Sequence, residues 1–303
     1  GYNGKLARID LTSADVHVED LDEEIAEQFI GGVGLSAKLT YDLLKDEDYE
    51  VLKKDPLAPV NPLIFATGPL TGSAAPSSSR YSVSGISPLT GIWGESTSGG
   101  FFPIALKRSG FDAIIITGEA SSPTYILVKE GNVELQDARE LWNKNTRDAI
   151  QDLREQHDDK RLRVACIGKG GENLVKYAAI INDEGRAAGR CGLGALMGKK
   201  NLKALAIRGK QSIEYQDKQD LIKNGRGALD NVHNAFSTNF FSHYGTLCYT
   251  DMGMVLGDIP AKYFSSTEFV AERLTGKKLK EEYPVLKYAC AGCTIGCERS
   301  TIA

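Results

Sequence analysis

No stretch of the 303-residue chain approaches the roughly 18 consecutive apolar residues that a membrane span requires. The opening residues Gly1-Tyr2-Asn3-Gly4-Lys5 carry no signal-peptide pattern. An excess of one charge is also missing. Thirty-six Lys and Arg stand against 40 Asp and Glu, a net charge of −4, which argues against a dedicated nucleic-acid binder. Histidine is scarce, with four residues in all. His17 in a surface strand and His157 at the end of a polar helix are expected to be solvated, and His233 and His243 fall in a polar stretch. None forms a pair at metal-binding spacing, and no Ser/His/Asp constellation is visible. The phosphate-binding pattern G-x4-G-K-[ST] is absent. Gly32-Val33-Gly34-Leu35-Ser36-Ala37 has the look of a dinucleotide fingerprint but follows a helix instead of a strand, so it is set aside. Regular alternation of strand and helix is lacking, as is any internal repeat.

Glycine and clustered cysteine are what the chain does have. Hydrophobic residues make up 42% and charged residues 25%, ordinary for a globular protein with a sizeable core. The 32 glycines exceed the usual share of roughly 7% and fall in groups. Three of the 6 cysteines fall within eight residues, 290–297. A secreted disulfide scaffold would be shorter with more dispersed cysteines, so these thiols read as metal ligands in a reducing cytoplasm.

Residues 5–18 alternate as a strand pair around a turn, and a helix follows with Asp22 as its N-cap. A second helix is expected over 35–44, beyond the interruption Gly31-Gly32-Val33-Gly34. Buried strands are expected at 63–66 and 113–117, and a hairpin at 125–135 around Glu130-Gly131-Asn132. A polar helix over 146–156 leads to strands at 162–167, 177–181 and 202–207. Past Gly209 the composition turns polar, with helices expected over 216–231 and 258–287. The fold class is α+β: an N-terminal domain of two β-sheets with helices over 1–210, then the start of a mainly helical domain over 211–303.

Cys290-Ala291-Gly292-Cys293-Thr294-Ile295-Gly296-Cys297 carries the strongest chemical signal, C-x2-C-x3-C. Soft thiolates on a tight loop suit an iron–sulfur cluster, and the two glycines let the backbone bend around it. A [4Fe–4S] cluster normally takes four ligands. Cys166, Cys191, Cys248 or a residue outside the chain could supply the fourth. Zinc would need further ligands that no nearby histidine provides, and structural thiols are the third alternative.

Two Gly/Arg-rich stretches form the second signal. One runs from Pro69-Leu70-Thr71-Gly72 through Arg80-Tyr81 and Ser87-Pro88-Leu89-Thr90-Gly91 to Ser96-Thr97-Ser98-Gly99-Gly100. The other runs from Gly168-Lys169-Gly170-Gly171 through Asn182-Asp183-Glu184-Gly185-Arg186-Ala187-Ala188-Gly189-Arg190 to Gly192-Leu193-Gly194. Backbone without Cβ atoms can approach phosphate oxygens, and arginine forks can neutralise them. Turn chemistry between short strands is the plainer reading of either stretch alone.

Taken together with Gly171-Glu172-Asn173-Leu174-Val175-Lys176 and Met197-Gly198-Lys199-Lys200-Asn201-Leu202-Lys203-Ala204, these stretches resemble the tungsten-containing aldehyde ferredoxin oxidoreductase family. The resemblance runs from Gly4 to about Arg208 and takes in the cysteine motif. It implies a two-sheet base for a bis-pterin tungsten (or molybdenum) cofactor, with magnesium bridging the pterin phosphates. It also implies a [4Fe–4S] cluster that passes electrons to ferredoxin or a ferredoxin-like subunit. On this resemblance Arg80 lies between pterin and cluster. Thr97, where the family often has Asn, and Ala187 offer backbone carbonyls to magnesium. Ser98, Gly99, Arg186 and Gly189 flank the pterin phosphates, and Cys290, Cys293 and Cys297 hold the cluster. The implied substrate is an aldehyde, oxidised with water to a carboxylic acid. Family members run to roughly twice this length, a scale that implies further domains. The resemblance therefore implies a fragment or one piece of a split enzyme, completed by the remainder or a second chain, with the strictly catalytic residues elsewhere. Alternatives are a non-catalytic iron–sulfur electron-transfer subunit, a cofactor-free fragment, and a subunit of the benzoyl-coenzyme A reductase type.

Overall fold

The computed structural model describes residues 1–183, 185–267 and 272–301. In chain order the first elements are β1 (Lys5–Asp10), β2 (Asp15–Asp20), α1 (Glu23–Phe29), α2 (Gly32–Leu43), α3 (Asp46–Lys54), β3 (Leu63–Thr67), β4 (Tyr81–Ile86), β5 (Trp93–Ser98), α4 (Phe102–Lys107) and β6 (Ala113–Thr117). Then come β7 (Thr124–Lys129), β8 (Asn132–Asp137), α5 (Thr146–Gln156), β9 (Arg163–Cys166), α6 (Lys169–Glu172), β10 (Ile180–Asn182), β11 (Arg186–Ala188), α7 (Leu193–Lys199) and β12 (Leu202–Arg208). The last are α8 (Lys218–Asn234), α9 (Phe236–Tyr244), α10 (Cys248–Leu256), α11 (Gly276–Glu282), β13 (Val285–Tyr288) and β14 (Glu298–Thr301).

The fold is α+β, built on two mixed six-stranded sheets. One has the order β2-β1-β6-β3-β4-β5, the other β11-β10-β9-β12-β7-β8. Strand β6 shows how sequence sets the layers. Its run Ala-Ile-Ile-Ile-Thr lies between β1, parallel, and β3, antiparallel. Alternate side chains point to opposite faces of a strand. Ile114 and Ile116 enter a core shared with the second sheet, beside Phe65, Tyr81, Leu205 and Ile207. Ala113 and Ile115 face outward and are covered by Leu35 and Leu39 of α2 and Ala26 of α1. The second sheet repeats the scheme, with Ala204 and Ala206 of β12 covered by Ile150 and Leu153 of α5. Caps start the covering helices. Asp22 accepts from Glu24 N at 2.8 Å, and Asn145 accepts from Asp148 N at 3.0 Å.

The chain divides into two units. One comprises Gly1–Ser73 and Ser78–Gln216; the other comprises Ala74–Ser77 and Asp217–Ala303. In the second unit, α9 and α10 turn Phe236, Met252, Val255 and Leu256 outward. The structure corrects four expectations. Residues 258–287 are not one helical stretch: Lys262, Tyr263 and Phe264 have positive φ, and among the described residues of this range regular α-helix is confined to α11. Strand β10 starts at Ile180, not at 177. Helix α2 starts at Gly32, so the Gly-rich segment opens this helix instead of interrupting one. His157 is half-buried, and its Nε2 lies 2.9 Å from the Tyr125 hydroxyl.

Lys200 carries a pH-dependent consequence. Its buried Nζ donates to Pro59 O at 3.1 Å and Gly118 O at 3.0 Å. Burial pushes its pKa from the ordinary 10.5 down to about 7, against the opposing pull of Asp10 and Glu119. Above that value the folded chain holds Lys200 neutral while the unfolded chain still binds the proton. Stability from this group should therefore rise by up to about 1.4 kcal/mol per pH unit above neutrality and stay flat below about pH 7. Urea midpoints measured across this range should rise in the wild type, and Lys200→Met should remove most of the slope. Equal slopes in the two proteins would contradict the assignment.

Candidate cofactor site

The two Gly/Arg-rich stretches meet through edge strands. Strand β5 pairs only with β4, in a register that sets Thr97 opposite Ser82 and Ser98 opposite Tyr81. Among the described residues strand β11 likewise pairs with β10 alone, with Ala187 opposite Ile181 and Arg186 opposite Asn182. The two edge strands pack against each other. Ser96 Oγ donates to Gly189 O, and Cys191 Sγ lies 3.2 Å from Glu95 O. Thr97, Ser98 and Gly99 are thus brought to Arg186, Ala187 and Gly189, about 90 positions away in sequence. Thr97 and Ala187 are exposed, Arg186 and Gly189 half-buried, and Ser98 and Gly99 buried.

Arg80 is exposed at the entrance to β4, beside the Tyr81–Ser98 pair. Its carbonyl accepts from Thr71 Oγ1 at 3.1 Å, tying it to the Gly68–Gly72 turn. Arg190 is exposed as well, so three guanidinium-bearing residues belong to this region. Thr97 and Ala187 are exposed residues on edge strands, and backbone carbonyls are hard oxygen donors of the kind magnesium prefers. Guanidinium forks beside oxygen donors form a donor set that fits an anionic, phosphate-bearing group.

Asn182 and Asp183, which the sequence shows as part of the second Gly/Arg-rich stretch without an assigned role, hold the junction together. Asn182 Oδ1 accepts from Ser98 Oγ at 2.8 Å and from the Tyr81 hydroxyl at 3.1 Å, while its Nδ2 donates to Gly99 O at 2.9 Å. Asp183 Oδ2 accepts from Phe101 N at 2.5 Å and Phe102 N at 2.8 Å. Burial, reinforced by Asp183, raises the Tyr81 pKa, which keeps this hydroxyl a donor. Gly100 has φ +98°, and a Cβ there would overlap the Asp183 carboxylate. The Asn-Asp pair just ahead of Glu184-Gly185-Arg186 was the available signal; only its partners reveal its task.

In the second unit, Cys290, Cys293 and Cys297 share one loop. The antiparallel hairpin β13–β14 closes that loop, pairing Tyr288 with Glu298. Inside it, Cys293 N donates to Cys290 O at 3.1 Å, and Gly292 and Gly296 adopt φ of +66° and +59°. Thr246 N donates to Cys297 O at 3.1 Å, which anchors the loop to the residues just before α10. All three cysteines are half-buried thiols outside any disulfide. Their chemistry and glycine-punctuated loop fit an iron–sulfur cluster. Among the described residues, however, no three His, Cys, Asp or Glu side chains are arranged to hold a metal ion. Of the other cysteines, Cys248 starts α10 in the same unit, and burial raises its pKa. Cys166 is sealed in β9, where burial pushes its thiol up to about 12 and disfavours the ligating thiolate.

Comparison with known proteins adds the following. Residues 6–209 match the family model described as aldehyde ferredoxin oxidoreductase, N-terminal domain. Residues 225–302 match the one described as aldehyde ferredoxin oxidoreductase, domains 2 & 3. A tungsten-containing aldehyde ferredoxin oxidoreductase of Pyrococcus furiosus is 39% identical over 301 residues, covering 99% of this chain and 49% of the relative. The WOR-like subunit of an aliphatic sulfonate oxidoreductase from the same organism is 37% identical, over 73% of this chain and 36% of its own length. Among solved structures, the active-site complex BamBC of benzoyl coenzyme A reductase, in complex with 1,5-dienoyl-CoA, superposes with a TM-score of 0.82. It is 26% identical, and the match covers 100% of this chain and 47% of that one. The chain spans about half the length of the curated relatives it matches.

Proposed function

The chain belongs to the aldehyde ferredoxin oxidoreductase family, and from that premise we propose that it forms the cofactor-holding part of an enzyme that oxidises aldehydes to carboxylic acids. The observation that carries this reading is the junction of β5 and β11, which gathers both Gly/Arg-rich stretches on one pair of edge strands. Residues 1–210 then serve as the base for a bis-pterin tungsten or molybdenum cofactor, and 211–303 as part of a helical domain bearing a [4Fe–4S] cluster. When bound, the metal–pterin centre supplies the two-electron oxidation and the cluster a one-electron exit.

In this reading Arg80 and Arg186, with Ser98, Gly99 and Gly189, neutralise and seat the pterin phosphates, and the carbonyls of Thr97 and Ala187 hold magnesium. Cys290, Cys293 and Cys297 ligate the cluster. Ferredoxin, or a ferredoxin-like subunit, takes the electrons in the cytoplasm. The remainder of the enzyme, in one chain or two, brings the groups that handle the aldehyde and covers the outward apolar side chains of α9 and α10. Among the described residues no helix is long and apolar enough to cross a membrane.

The TM-score of 0.82 to the benzoyl coenzyme A reductase complex favours a second reading, in which the substrate is an aromatic thioester. Anaerobic assay of the full-length protein separates the two. Aldehyde-dependent reduction of ferredoxin or a viologen dye supports the first. Turnover confined to an aromatic acyl thioester replaces it with the second.

Arg80 gives a sharper check. Its side chain is exposed, so Arg80→Ala should shift stability by no more than about 0.5 kcal/mol. Tungsten and pterin retained through purification should nevertheless fall several-fold. Full retention of both would defeat its assignment.

A further inference from the structure

We propose that Asn182 and Asp183 are positioning residues that set the spacing between the two cofactor-facing strands, β5 and β11. The inference rests on the cofactor reading above. Asn182 is fully buried on the three-residue strand β10. Its side chain spends its whole hydrogen-bonding capacity: Oδ1 accepts from β4 through Tyr81 and from β5 through Ser98, and Nδ2 donates to Gly99 O and, at 3.1 Å, to Asp183 Oδ2. Asp183 has φ +47°, in the left-handed region, and its carboxylate is buried. That carboxylate takes the N–H groups of Phe101 and Phe102, the latter opening α4. Arg163 compensates it, with a guanidinium nitrogen 3.6 Å from Oδ1 and its guanidinium stacked over the Phe101 ring.

A buried amide, a buried charge and a left-handed non-glycine residue each cost stability. Well-packed apolar side chains would hold two sheets together at least as well. What an apolar contact lacks is direction. Four bonds from one planar amide fix Ser98 and Gly99 at a defined distance and angle from β10. Thr97 is the neighbour of Ser98, and Ala187 pairs with Ile181, the neighbour of Asn182. A shift at Asn182 therefore reaches both proposed magnesium carbonyls through one residue each, Ser98 for Thr97 and Ile181 for Ala187. Because Arg163 neutralises Asp183 from within, the carboxylate repels an anionic cofactor less than a bare charge would.

The test compares wild type, Asn182→Ala and Asp183→Asn, each expressed as the full chain and purified anaerobically with tungstate supplied. Tungsten and pterin per chain are read beside amide hydrogen exchange. Loss of such supporting partners typically weakens metal binding 10–100-fold, so Asn182→Ala should retain about tenfold less tungsten. Exchange at residues 99–102 should speed up, while β3 and β6 stay as protected as in wild type. Asp183→Asn weakens the charge-assisted bonds to Phe101 N and Phe102 N and should lower tungsten retention in the same direction by a smaller factor. Faster exchange at 99–102 with undiminished tungsten in Asn182→Ala would overturn the inference. So would an equal loss of protection in β3 and β6, since that marks a merely structural tether. A wild-type protein without tungsten or pterin would instead overturn the proposed function.

Discussion

Cys293→Ser should strip the protein of iron. Cys293 is the middle thiol of the motif, on the turn closed by its own N–H to Cys290 O at 3.1 Å. A serine hydroxyl there would be a hard, weakly acidic donor, which soft iron–sulfur chemistry disfavours. The hairpin β13–β14 closes the loop through its own ladder, so the backbone should persist without the cluster. Iron should fall from about four atoms per chain to below about one, with loss of the broad visible absorbance of a cluster. Cys166→Ser is the control. That thiol is buried in the first unit, where burial pushes it up to about 12, and its replacement should leave the iron count unchanged. Iron retained in Cys293→Ser, or lost in Cys166→Ser alone, would move the cluster off this loop.

Lys203→Met should destabilise the first unit strongly while leaving its backbone conformation alone. Lys203 Nζ lies 2.5 Å from Glu172 Oε1, and both side chains are buried. The ammonium also donates to Lys144 O at 2.9 Å, and the other oxygen of Glu172 accepts from Asn143 N at 3.0 Å. One ion pair thus ties β12, α6 and the loop before α5 together. Methionine would fill the space but leave a buried carboxylate without its counter-ion, a loss of about 3–5 kcal/mol. A domain's whole stability is about 5–15 kcal/mol, so urea unfolding should shift to a much lower midpoint. Glu172→Gln combined with Lys203→Met removes the stranded charge and should recover a large part of the loss. A double variant as weak as the sum of the two single variants would show that the pair is not coupled.

The contrast between β6 and β5 shows where sequence suffices. Ala113-Ile114-Ile115-Ile116 is apolar on both faces because both faces are covered, and its composition announces a buried strand. Strands β4 and β5 read Tyr-Ser-Val-Ser-Gly-Ile and Trp-Gly-Glu-Ser-Thr-Ser. Small polar residues dominate there because Ser96 and Ser98 face partners in the second sheet, and such a pattern is indistinguishable from a loop. Long-range partners likewise conceal Asn182 and Asp183, whose bonds reach back more than 80 positions. The Lys and Glu content of 258–287 suggests helix by propensity, yet Pro260 and the positive-φ run 262–264 break it, and among the described residues of this range regular α-helix is confined to α11. The cysteine spacing was legible because ligand chemistry writes it locally. The enclosing hairpin was not, since each of its strands has four residues and Glu298–Thr301 is polar throughout.

Tungsten, iron and pterin, quantified together in the anaerobically purified full-length protein, test the central claim most directly. A chain with a cofactor base and a cluster-bearing domain predicts about one tungsten (or molybdenum) and about four iron atoms per chain, with pterin released on denaturation. Iron alone, with neither pterin nor tungsten or molybdenum, would contradict the claim and leave an electron-transfer protein in its place.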